Sequence, residues 1–216
     1  MVRRNRELIK AELHKRVAED PNFRQDLIRD PKAALKRALD FDLSPGLDLR
    51  VLEDSLEVIH LVLPPAPPDA SSEVSLREIT GETVHGVCAL EVRPEQVRFV
   101  APNAISIAEA QFSPTAWQRV IYAGDTPVGF VMLSDDPEQQ KYYLWRYMID
   151  HEYQGLGFGR RAMELVIDYV RTRPGASEIT LSYSPGEGSP RDFYTRLGFE
   201  DTGESLGSER VMRLQL

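Results

Sequence analysis

A glycine-dense turn, Gln154-Gly-Leu-Gly-Phe-Gly159, stands between a strand-like run and a helix-like run of residues. At the start of a helix, unpaired backbone N–H groups and the helix dipole favour a bound anion. Arg160 and Arg161 follow at once and can add charge-assisted hydrogen bonds. The spacing Q-x-x-G-x-G fits neither the dinucleotide fingerprint G-x-G-x-x-G nor the G-K-S/T ending of a P-loop. The turn therefore predicts a pyrophosphate site of another kind, unless it is a turn without a ligand.

The segments on both sides of this turn alternate between strand and helix patterns. A strand over residues 142–149 leads into the turn, a helix over 157–172 leaves it, and a strand over 179–183 follows. The other predicted elements are strands over 74–79, 117–123, 128–134 and 211–214 and helices over 82–90, 101–112 and 190–196. A mostly antiparallel meander followed by a βαβα unit predicts an α/β (α+β) fold, with a mixed, mostly antiparallel sheet flanked by helices.

The net charge of −8 lies entirely in residues 65–216, because residues 1–64 carry 12 basic and 12 acidic residues. An acidic body argues against nucleic acid, whose phosphates need a basic surface. It mildly favours a cationic substrate through electrostatic steering. No apolar run approaches the roughly 20 residues that span a bilayer, and the N-terminus lacks the apolar stretch of a secretory signal. We therefore expect a cytoplasmic protein with no membrane or nucleic-acid partner.

The cysteine and histidine content gives no sign of a metal site. Cys88 is the only cysteine, which excludes an internal disulfide and a cysteine-based metal cage. Its apolar neighbours predict a buried side chain. The histidines stand without ligand spacing at His14, His60, His85 and His151. We expect no bound metal.

Residues 1–64 have the pattern of a small separate domain. Helical spacing covers residues 4–18 and a second short stretch around Phe23 and Leu27, and Asp30-Pro31 is typical of the start of a third helix. Alternating apolar residues between 47 and 63 predict a β-hairpin. Residues 65–73 are proline-rich and then small and polar, which predicts a linker to a second domain over 74–216.

The first domain resembles the nitrile-hydratase-like leader segments of peptide natural-product precursors. The resemblance lies in Asp20-Pro-Asn-Phe23, Asp30-Pro-Lys-Ala-Ala-Leu35 and the hairpin ending Ile59-His-Leu-Val-Leu-Pro-Pro65. It implies a small α+β unit that biosynthetic enzymes recognise, and so a peptide or biosynthetic-enzyme partner. Leu63-Pro-Pro-Ala-Pro-Pro68 stands where such leaders usually have a Gly-Gly-type cleavage site. The alternative role is a stabilising or dimerising appendage, and we expect a homodimer.

The second domain resembles the GNAT acyltransferases, and within them the bacterial spermine/spermidine (diamine) N-acetyltransferases. Phe193-Tyr-Thr-Arg-Leu-Gly-Phe199 follows the glycine turn in the order that the GNAT superfamily has. The closer resemblance lies in Phe99-Val-Ala-Pro-Asn103, Ser106-Ile-Ala-Glu-Ala110, Tyr143-Leu-Trp-Arg-Tyr-Met-Ile-Asp150, Tyr153-Gln-Gly-Leu-Gly157 and Pro185-Gly-Glu-Gly-Ser-Pro190. It implies a GNAT fold, acetyl-CoA as co-substrate and a small amine as acceptor.

This resemblance implies roles for matching residues. Backbone groups of Met148 and Ile149 pair with the pantetheine arm, and an amide there polarises the thioester carbonyl. Tyr194 lies near the sulfur and protonates the departing thiolate. Ser189 lies in the region where many members carry an asparagine that contacts the pantetheine. The pyrophosphate is held by Gln154, Gly155, Leu156, Gly157, Phe158, Gly159 and Arg160.

The acceptor amine must lose a proton before it attacks, because an alkylammonium group with a pKa of about 10.4 has no lone pair near pH 7. Some polyamine acetyltransferases place a glutamate in the strand before the glycine turn, where this chain has Trp145 and Arg146. Glu109, on the predicted substrate-side helix, is the first candidate for the base. Asp135 or Glu187 acting through water is the alternative. Asp135 and Asp136, in an acidic turn, are predicted to anchor distal ammonium groups of the substrate.

Three functions fit these residues. The first is acetyl transfer from acetyl-CoA to a polyamine by direct attack in a ternary complex, without a covalent intermediate. The second keeps the chemistry but takes a ribosomal peptide as acceptor, recruited by the leader-like domain, with an acetyl or longer acyl donor. The third is a non-catalytic module that binds a CoA ester. A narrow acidic slot would favour polyamines, whereas a wide, uncovered groove would favour peptides.

Overall fold

The computed structural model describes residues 13–39, 49–53, 57 and 67–216. The chain divides into two compact units, Met1–Ala66 and Pro67–Leu216. In the first unit, residues 13–19 are helical, and α1 (Pro21–Arg29) and α2 (Pro31–Leu39) follow. None of the described helices is both long and apolar enough to cross a membrane.

Aspartates stand directly before α1 and α2 of the first unit, and the sequence predicts the helix start at Asp30. The Asp20 carboxylate accepts hydrogen bonds from the backbone N–H groups of Asn22 (2.9 Å) and Phe23 (3.2 Å). The Asp30 carboxylate accepts one from the N–H of Ala33 at 3.1 Å. The core of this unit is formed by Leu27, Ala34 and Leu35, with Leu49 and Val51 packed against it. Residues 49–53 form neither helix nor strand, and the rest of the predicted hairpin lies almost entirely outside the described residues.

The second unit is built on one seven-stranded sheet in the order β1-β2-β3-β4-β5-β7-β6. Its strands are β1 (Val74–Arg77), β2 (Ala116–Ala123), β3 (Thr126–Asp136), β4 (Lys141–Ile149), β5 (Glu178–Tyr183), β6 (Glu200–Leu206) and β7 (Glu209–Gln215). All neighbouring pairs are antiparallel except β4 and β5. The predicted mixed, mostly antiparallel sheet is confirmed, and β6 is a strand that the sequence pattern missed.

Helices cover this sheet and carry the connections between its strands. They are α3 (Val84–Cys88), a 3-10 helix (Pro94–Phe99), α4 (Asn103–Ala110), a 3-10 turn (His151–Tyr153), α5 (Phe158–Arg171) and α6 (Arg191–Thr195). The crossover helix α5 has an apolar residue facing the sheet at every turn, and its buried residues are Phe158, Ala162, Met163, Val166, Ile167 and Val170. This packing fixes the start of α5 at the end of β4.

The two parallel strands part soon after they meet. β4 and β5 pair only at Tyr143–Thr180 and Leu144–Leu181. On the other side of β4, Met132 pairs with Arg146 but Leu133 pairs with Leu144, so one extra residue forms a bulge at Trp145. The remainder of β4 therefore has a backbone edge that no strand of the sheet covers on the β5 side.

In the helix predicted over 101–112, the apolar residues Ile105, Ala108 and Phe112 stand at helical spacing, but α4 buries another face. Phe112, just beyond the helix, is 90% exposed and Ile105 is also exposed, whereas Asn103 and Ser106 are buried. The Asn103 side chain donates to the carbonyl oxygen of Val87 at 2.9 Å, which satisfies its buried amide. Cys88 is exposed, so the prediction of a buried thiol is wrong.

Candidate active site

A cleft of about 1020 Å³ opens where β4 and β5 part. Its walls are the second half of β4, the segment 96–102, the glycine turn, the loop 184–190 and α6. Nine of the residues predicted for the site line this cleft: Met148, Ile149, Gln154, Gly155, Gly157, Gly159, Arg160, Ser189 and Tyr194. The fold thus brings the glycine turn and the tyrosine of a later helix to one place.

The uncovered edge of β4 presents particular peptide groups to the cleft. A Cβ atom built on Gly129 of β3 would lie 2.4 Å from the carbonyl oxygen of Met148. The N–H of Asp150 donates to the carbonyl of Val128, the residue of β3 that precedes Gly129, at 2.8 Å. Met148 and Asp150 therefore face β3, and because peptide groups alternate along a strand, Tyr147 and Ile149 face the open edge. Of the two residues predicted for backbone pairing, the geometry supports Ile149, whereas Met148 directs its carbonyl at β3.

The glycine turn has the backbone geometry of an anion cradle. Gly155 and Gly157 have φ values of +85° and +80°, in the left-handed region, and Gly157 stands directly before α5. A Cβ atom built on either glycine would meet nothing within 4 Å, so the space in front of the turn is open. A 14-residue helix starts here with unpaired N–H groups. These residues fit a pyrophosphate group.

Two side chains of the turn point away from the cleft. Phe158 is fully buried in the core, and Leu156 packs against the same core. Arg161 donates to the carbonyl of Ser72 at 2.8 Å and lies over the ring of Phe158. Arg160 is therefore the arginine of this pair that lines the cleft. Leu156 and Phe158 contribute to the turn through their backbone, because their side chains anchor it.

Gln154 connects two walls of the cleft through its side chain. Its Nε2 donates to the carbonyl of Ile149 at 2.9 Å and to Oε1 of Gln96 at 2.8 Å. The side chain amide is thus committed to protein contacts, which leaves the backbone of Gln154 for the predicted anion. On the opposite rim, Arg98 donates to the carbonyl of Glu187 at 2.6 Å. This contact joins the segment 96–102 to the loop 184–190 and bridges the cleft.

Tyr194 lies in an aromatic cluster at the cleft wall and is 7% exposed. Its ring makes edge contacts with Phe193 (5.2 Å between centroids) and Phe199 (5.7 Å). The hydrogen bonds among the described residues leave its hydroxyl unpaired. Burial, and secondarily the nearby Tyr143, raise the pKa of Tyr194 above its usual value of 10. The phenol consequently remains protonated and available as a donor.

Tyr147 holds the glycine turn against β4, a role that the sequence did not reveal. Its hydroxyl donates to the carbonyl of Gly159, and its ring stacks on Phe193 with centroids 5.9 Å apart. Burial is the main cause that raises the pKa of Tyr147 well above 10. The side chain is therefore a neutral donor that fixes the turn in place.

Comparison with known proteins identifies the architecture. Residues 82–199, more than half of the chain, match the acetyltransferase (GNAT) family. The chain belongs to this family. It has the GNAT fold and is an N-acetyltransferase, so the family and the fold implied by the sequence motifs are confirmed.

Individual relatives of this acetyltransferase are distant. It is 24% identical to the spermine/spermidine N(1)-acetyltransferase of Bacillus subtilis over 154 residues, 66% of this chain and 99% of that protein. The PaiA N-acetyltransferase of Thermoplasma acidophilum, solved in complex with coenzyme A, superposes with a TM-score of 0.53 at 17% identity, over 67% of this chain and 99% of that one. The cobalt-containing nitrile hydratase alpha subunit of Pseudonocardia thermophila is 33% identical over 72 residues, 32% of this chain and 35% of that subunit.

The acidic residues predicted for the acceptor side lie outside the cleft of the acetyltransferase. Glu109 of α4 forms an ion pair with Arg146, with 3.2 Å between Oε2 and Nη2. The Asp135 carboxylate, 8% exposed, accepts hydrogen bonds from the Tyr169 hydroxyl (2.5 Å) and from Nε of Arg173 (3.1 Å). Asp136 caps the turn after β3, where it accepts from the N–H of Gln139 at 2.9 Å. The geometry gives all three carboxylates protein partners, because each faces an arginine, a tyrosine or a turn.

Asp135 ties the end of β3 to the region after α5, so Asp135→Asn tests a structural role. We expect a loss of about 1–3 kcal/mol in the free energy of unfolding, because the half-buried Arg173 loses its anionic partner. We expect the KM for the amine to stay unchanged. Thermal and denaturant unfolding measure the first effect and steady-state kinetics the second. Asp136→Asn is the matched control. A raised KM for the amine in either variant would show that the altered carboxylate contributes to substrate binding, contrary to a purely structural role.

The carboxylates that do line the cleft, among the described residues, are Asp192 and Glu209. Asp192 is highly exposed, whereas Glu209, the first residue of β7, is half-buried. Sequence reasoning missed Glu209 because it missed the β6–β7 hairpin. The sequence signal for this hairpin was Leu206-Gly-Ser-Glu209, in which the two-residue turn Gly-Ser joins the strands and Gly207 has φ +62°. Within the described ranges, no group of three metal-ligating side chains occurs.

Proposed function

We propose that this acetyltransferase transfers an acetyl group from acetyl-CoA to a primary amine of a small cationic acceptor, of the spermidine and spermine class. The acetyl group would pass by direct attack in a ternary complex. One observation carries this proposal: a single cleft is lined by an uncovered strand edge, a glycine turn at a helix start and a largely buried tyrosine whose hydroxyl makes no hydrogen bond within the described residues.

The first two of these features fit coenzyme A. Backbone N–H groups of the turn and Arg160 bind the pyrophosphate. The peptide groups of Tyr147 and Ile149 pair with the amides of the pantetheine arm, as an added strand would. Acetyl-CoA supplies an activated thioester at the end of that arm. An N–H group on the same edge polarises the thioester carbonyl as negative charge develops on its oxygen.

Tyr194 completes the reaction on the leaving-group side. When the carbon–sulfur bond breaks, the sulfur carries a negative charge that must be neutralised. The Tyr194 hydroxyl donates its proton to that sulfur, and the proton lost by the attacking nitrogen restores the phenol. Burial raises the pKa of the phenol, which by itself makes it a weaker proton donor. The same apolar surroundings also raise the pKa of the departing thiol, because they penalise the charged thiolate, so the two effects offset each other.

Several observations favour a small polyamine acceptor. The relative that acts on spermine and spermidine aligns over 99% of its length. The net charge of −8 favours a cation. The hydrogen bond from Arg98 to the carbonyl of Glu187 bridges the cleft, which suits a slender acceptor better than a folded peptide. The Glu209 carboxylate adds an acidic group to the lining of the cleft, which also favours a cation.

A second candidate acceptor is a peptide recruited through residues 1–64. The similarity to a nitrile hydratase subunit over 72 residues supports the leader-like character of part of the chain. In this case the first unit would bind peptide-modifying partners or a leader peptide, and the cleft would acylate an amine of that peptide. The donor could then be a longer acyl-CoA.

A screen of purified full-length protein separates these functions. Release of the CoA thiol is measured with acetyl-, succinyl- and fatty-acyl-CoA against spermine, spermidine, amino acids and lysine-containing peptides. We expect turnover with acetyl-CoA and the polyamines, with one acetyl group added per product by mass spectrometry. Transfer to peptides alone would overturn the polyamine acceptor. Binding of acetyl-CoA without thiol release for any amine would indicate a binding module.

A further inference from the structure

Glu209 ends a chain of hydrogen bonds that starts inside the cleft. Ser182, on β5, donates its hydroxyl proton to Oε2 of Glu209. Ser184, just after β5, lies 3.4 Å from Oε1 of the same carboxylate. The hydroxyl oxygen of Tyr143, on β4, lies 2.6 Å from Oγ of Ser182. Three elements of the sheet thus contribute to one connected network.

The direction of this chain follows from the number of protons. Ser182 has one hydroxyl proton, and the carboxylate of Glu209 can only accept. Ser182 therefore donates to Glu209 and accepts from Tyr143, which must be the donor at the 2.6 Å contact. The oxygen of Tyr143 retains a lone pair that can accept a proton from a group in the cleft.

Tyr143 stands next to the reaction centre. It pairs with Thr180, one residue before the last pair of β4 with β5 (Leu144–Leu181), and it lines the cleft. Tyr143 is also close enough to Tyr194 to contribute to the raised pKa of that residue. An amine near the Tyr194 hydroxyl would therefore also lie near the Tyr143 hydroxyl.

Few other charged groups face this network. The residues that hydrogen-bond to the Glu209 side chain or pair with Glu209 across the sheet are Ser182 of β5, Ser184 just after β5 and Leu206 of β6, which carry no charge. Arg210, the next residue on β7, turns to β6 and donates to Ser205 at 3.3 Å. The other charged residues that line the cleft are Arg98, Arg146, Arg160, Asp192 and Arg196. Of these, Arg146 is held by Glu109 and Asp192 is highly exposed.

We propose that Tyr143, Ser182 and Glu209 form a proton relay that deprotonates the acceptor ammonium group. Tyr143 contacts the amine, whereas Ser182 and Glu209 act through it as positioning residues. This inference rests on the proposed function. It assigns the base that the first candidate does not provide, because Glu109 is paired with Arg146 and does not line the cleft.

The relay balances its protons and charges. One proton moves from the ammonium nitrogen to the Tyr143 oxygen, while Tyr143 passes its own proton to Ser182 and Ser182 passes its own to Glu209. The result is a neutral amine, two unchanged hydroxyl groups and a protonated Glu209. The amine nitrogen then bonds to the acetyl carbon as the carbon–sulfur bond breaks, and its second proton reaches the sulfur by way of Tyr194. Glu209 finally releases its proton to solvent.

The test is Glu209→Gln in the full-length protein, because glutamine can still accept from Ser182 but cannot take the proton. We expect kcat/KM for spermidine near pH 7 to fall by about 10²–10³-fold. The remaining rate should rise about tenfold per pH unit toward the pKa of the amine, since only amine already neutral in solution reacts. The KM for acetyl-CoA should stay within about twofold, since that residue lies on the acceptor side.

A second acceptor distinguishes deprotonation from a structural role. Methoxyamine is neutral at pH 7 and needs no base, so its rate should be nearly the same in the wild type and in Glu209→Gln. Glu204→Gln, an exposed carboxylate on β6, is the matched control and should behave as the wild type. Tyr143→Phe breaks the relay at its first member and should reproduce the steep pH profile even if Glu209→Gln folds poorly.

Three results would overturn the relay. The first is a wild-type pH profile in Glu209→Gln or Tyr143→Phe. The second is an equal loss of rate with methoxyamine and with spermidine. The third is a Glu204→Gln variant as impaired as Glu209→Gln. A wild type that acetylates no amine at all would instead overturn the proposed function itself, which separates the two failures.

Discussion

Tyr194→Phe is expected to lower kcat for acetyl transfer by about 10²–10³-fold while leaving acetyl-CoA binding within about twofold. The substitution removes only the hydroxyl, so the ring contacts with Phe193 and Phe199 remain. The thiolate then leaves without a donor, and the lost interaction exists only as the carbon–sulfur bond breaks. Single-turnover kinetics and calorimetric titration with CoA measure the two quantities.

The pH dependence of the wild type provides a further check on Tyr194. Its pKa is raised by burial, so the phenol is protonated at and below pH 10, and its donor role is lost only as the pH rises through the raised value. The activity should therefore show no alkaline decline from this group over the range in which the acceptor amine loses its proton.

Tyr142→Phe is the matched control for Tyr194. Tyr142 lies on β4, is buried, and donates its hydroxyl to the carbonyl of Pro174 at 2.6 Å. Its loss should reduce stability by about 1 kcal/mol without reducing kcat. A Tyr194→Phe variant with the full rate would show that Tyr194 is not the proton donor. A variant that no longer binds CoA would show that the hydroxyl has a structural role instead.

The part of the site that the sequence predicts is the part encoded by neighbouring residues. The glycine turn and the helix after it lie within one stretch of chain, so spacing alone determines how the N–H groups of Gly155 and Gly157 are presented. The position of Tyr194 was implied by a motif that is also local. Both features lie in the cleft.

The acceptor side depends on contacts between distant segments, which spacing does not encode. Ser182 meets Glu209 only because β5 pairs with β7 in a register that places Ser182 opposite Val211. The carboxylates chosen from sequence, Glu109 and Asp135, each meet an arginine from another element. The sequence alone does not show whether an acidic residue contacts the substrate or forms an ion pair within the protein, because that depends on the register of the sheet.

The second large effect is expected at the cofactor turn, where Gly157→Ala should weaken acetyl-CoA binding by about 10- to 100-fold. Gly157 has φ +80°, and a Cβ atom there would enter the open space that we propose for the pyrophosphate. An alanine in this region of φ costs about 1–2 kcal/mol in backbone strain. The chain can relieve that strain only by turning the N–H groups away from the anion. Calorimetric titration with CoA and with 3′-dephospho-CoA measures the loss.

Gly124→Ala separates backbone strain from the loss of the anion site. Gly124 lies in the turn between β2 and β3 with φ +57°, and a Cβ atom there also meets nothing within 4 Å. Both variants should lose a similar amount of stability, because both force alanine into the left-handed region. Only Gly157→Ala should lose affinity for CoA. If the two variants bind CoA equally well, the turn is a structural connection, and the pyrophosphate must be held by the arginines along the cleft instead.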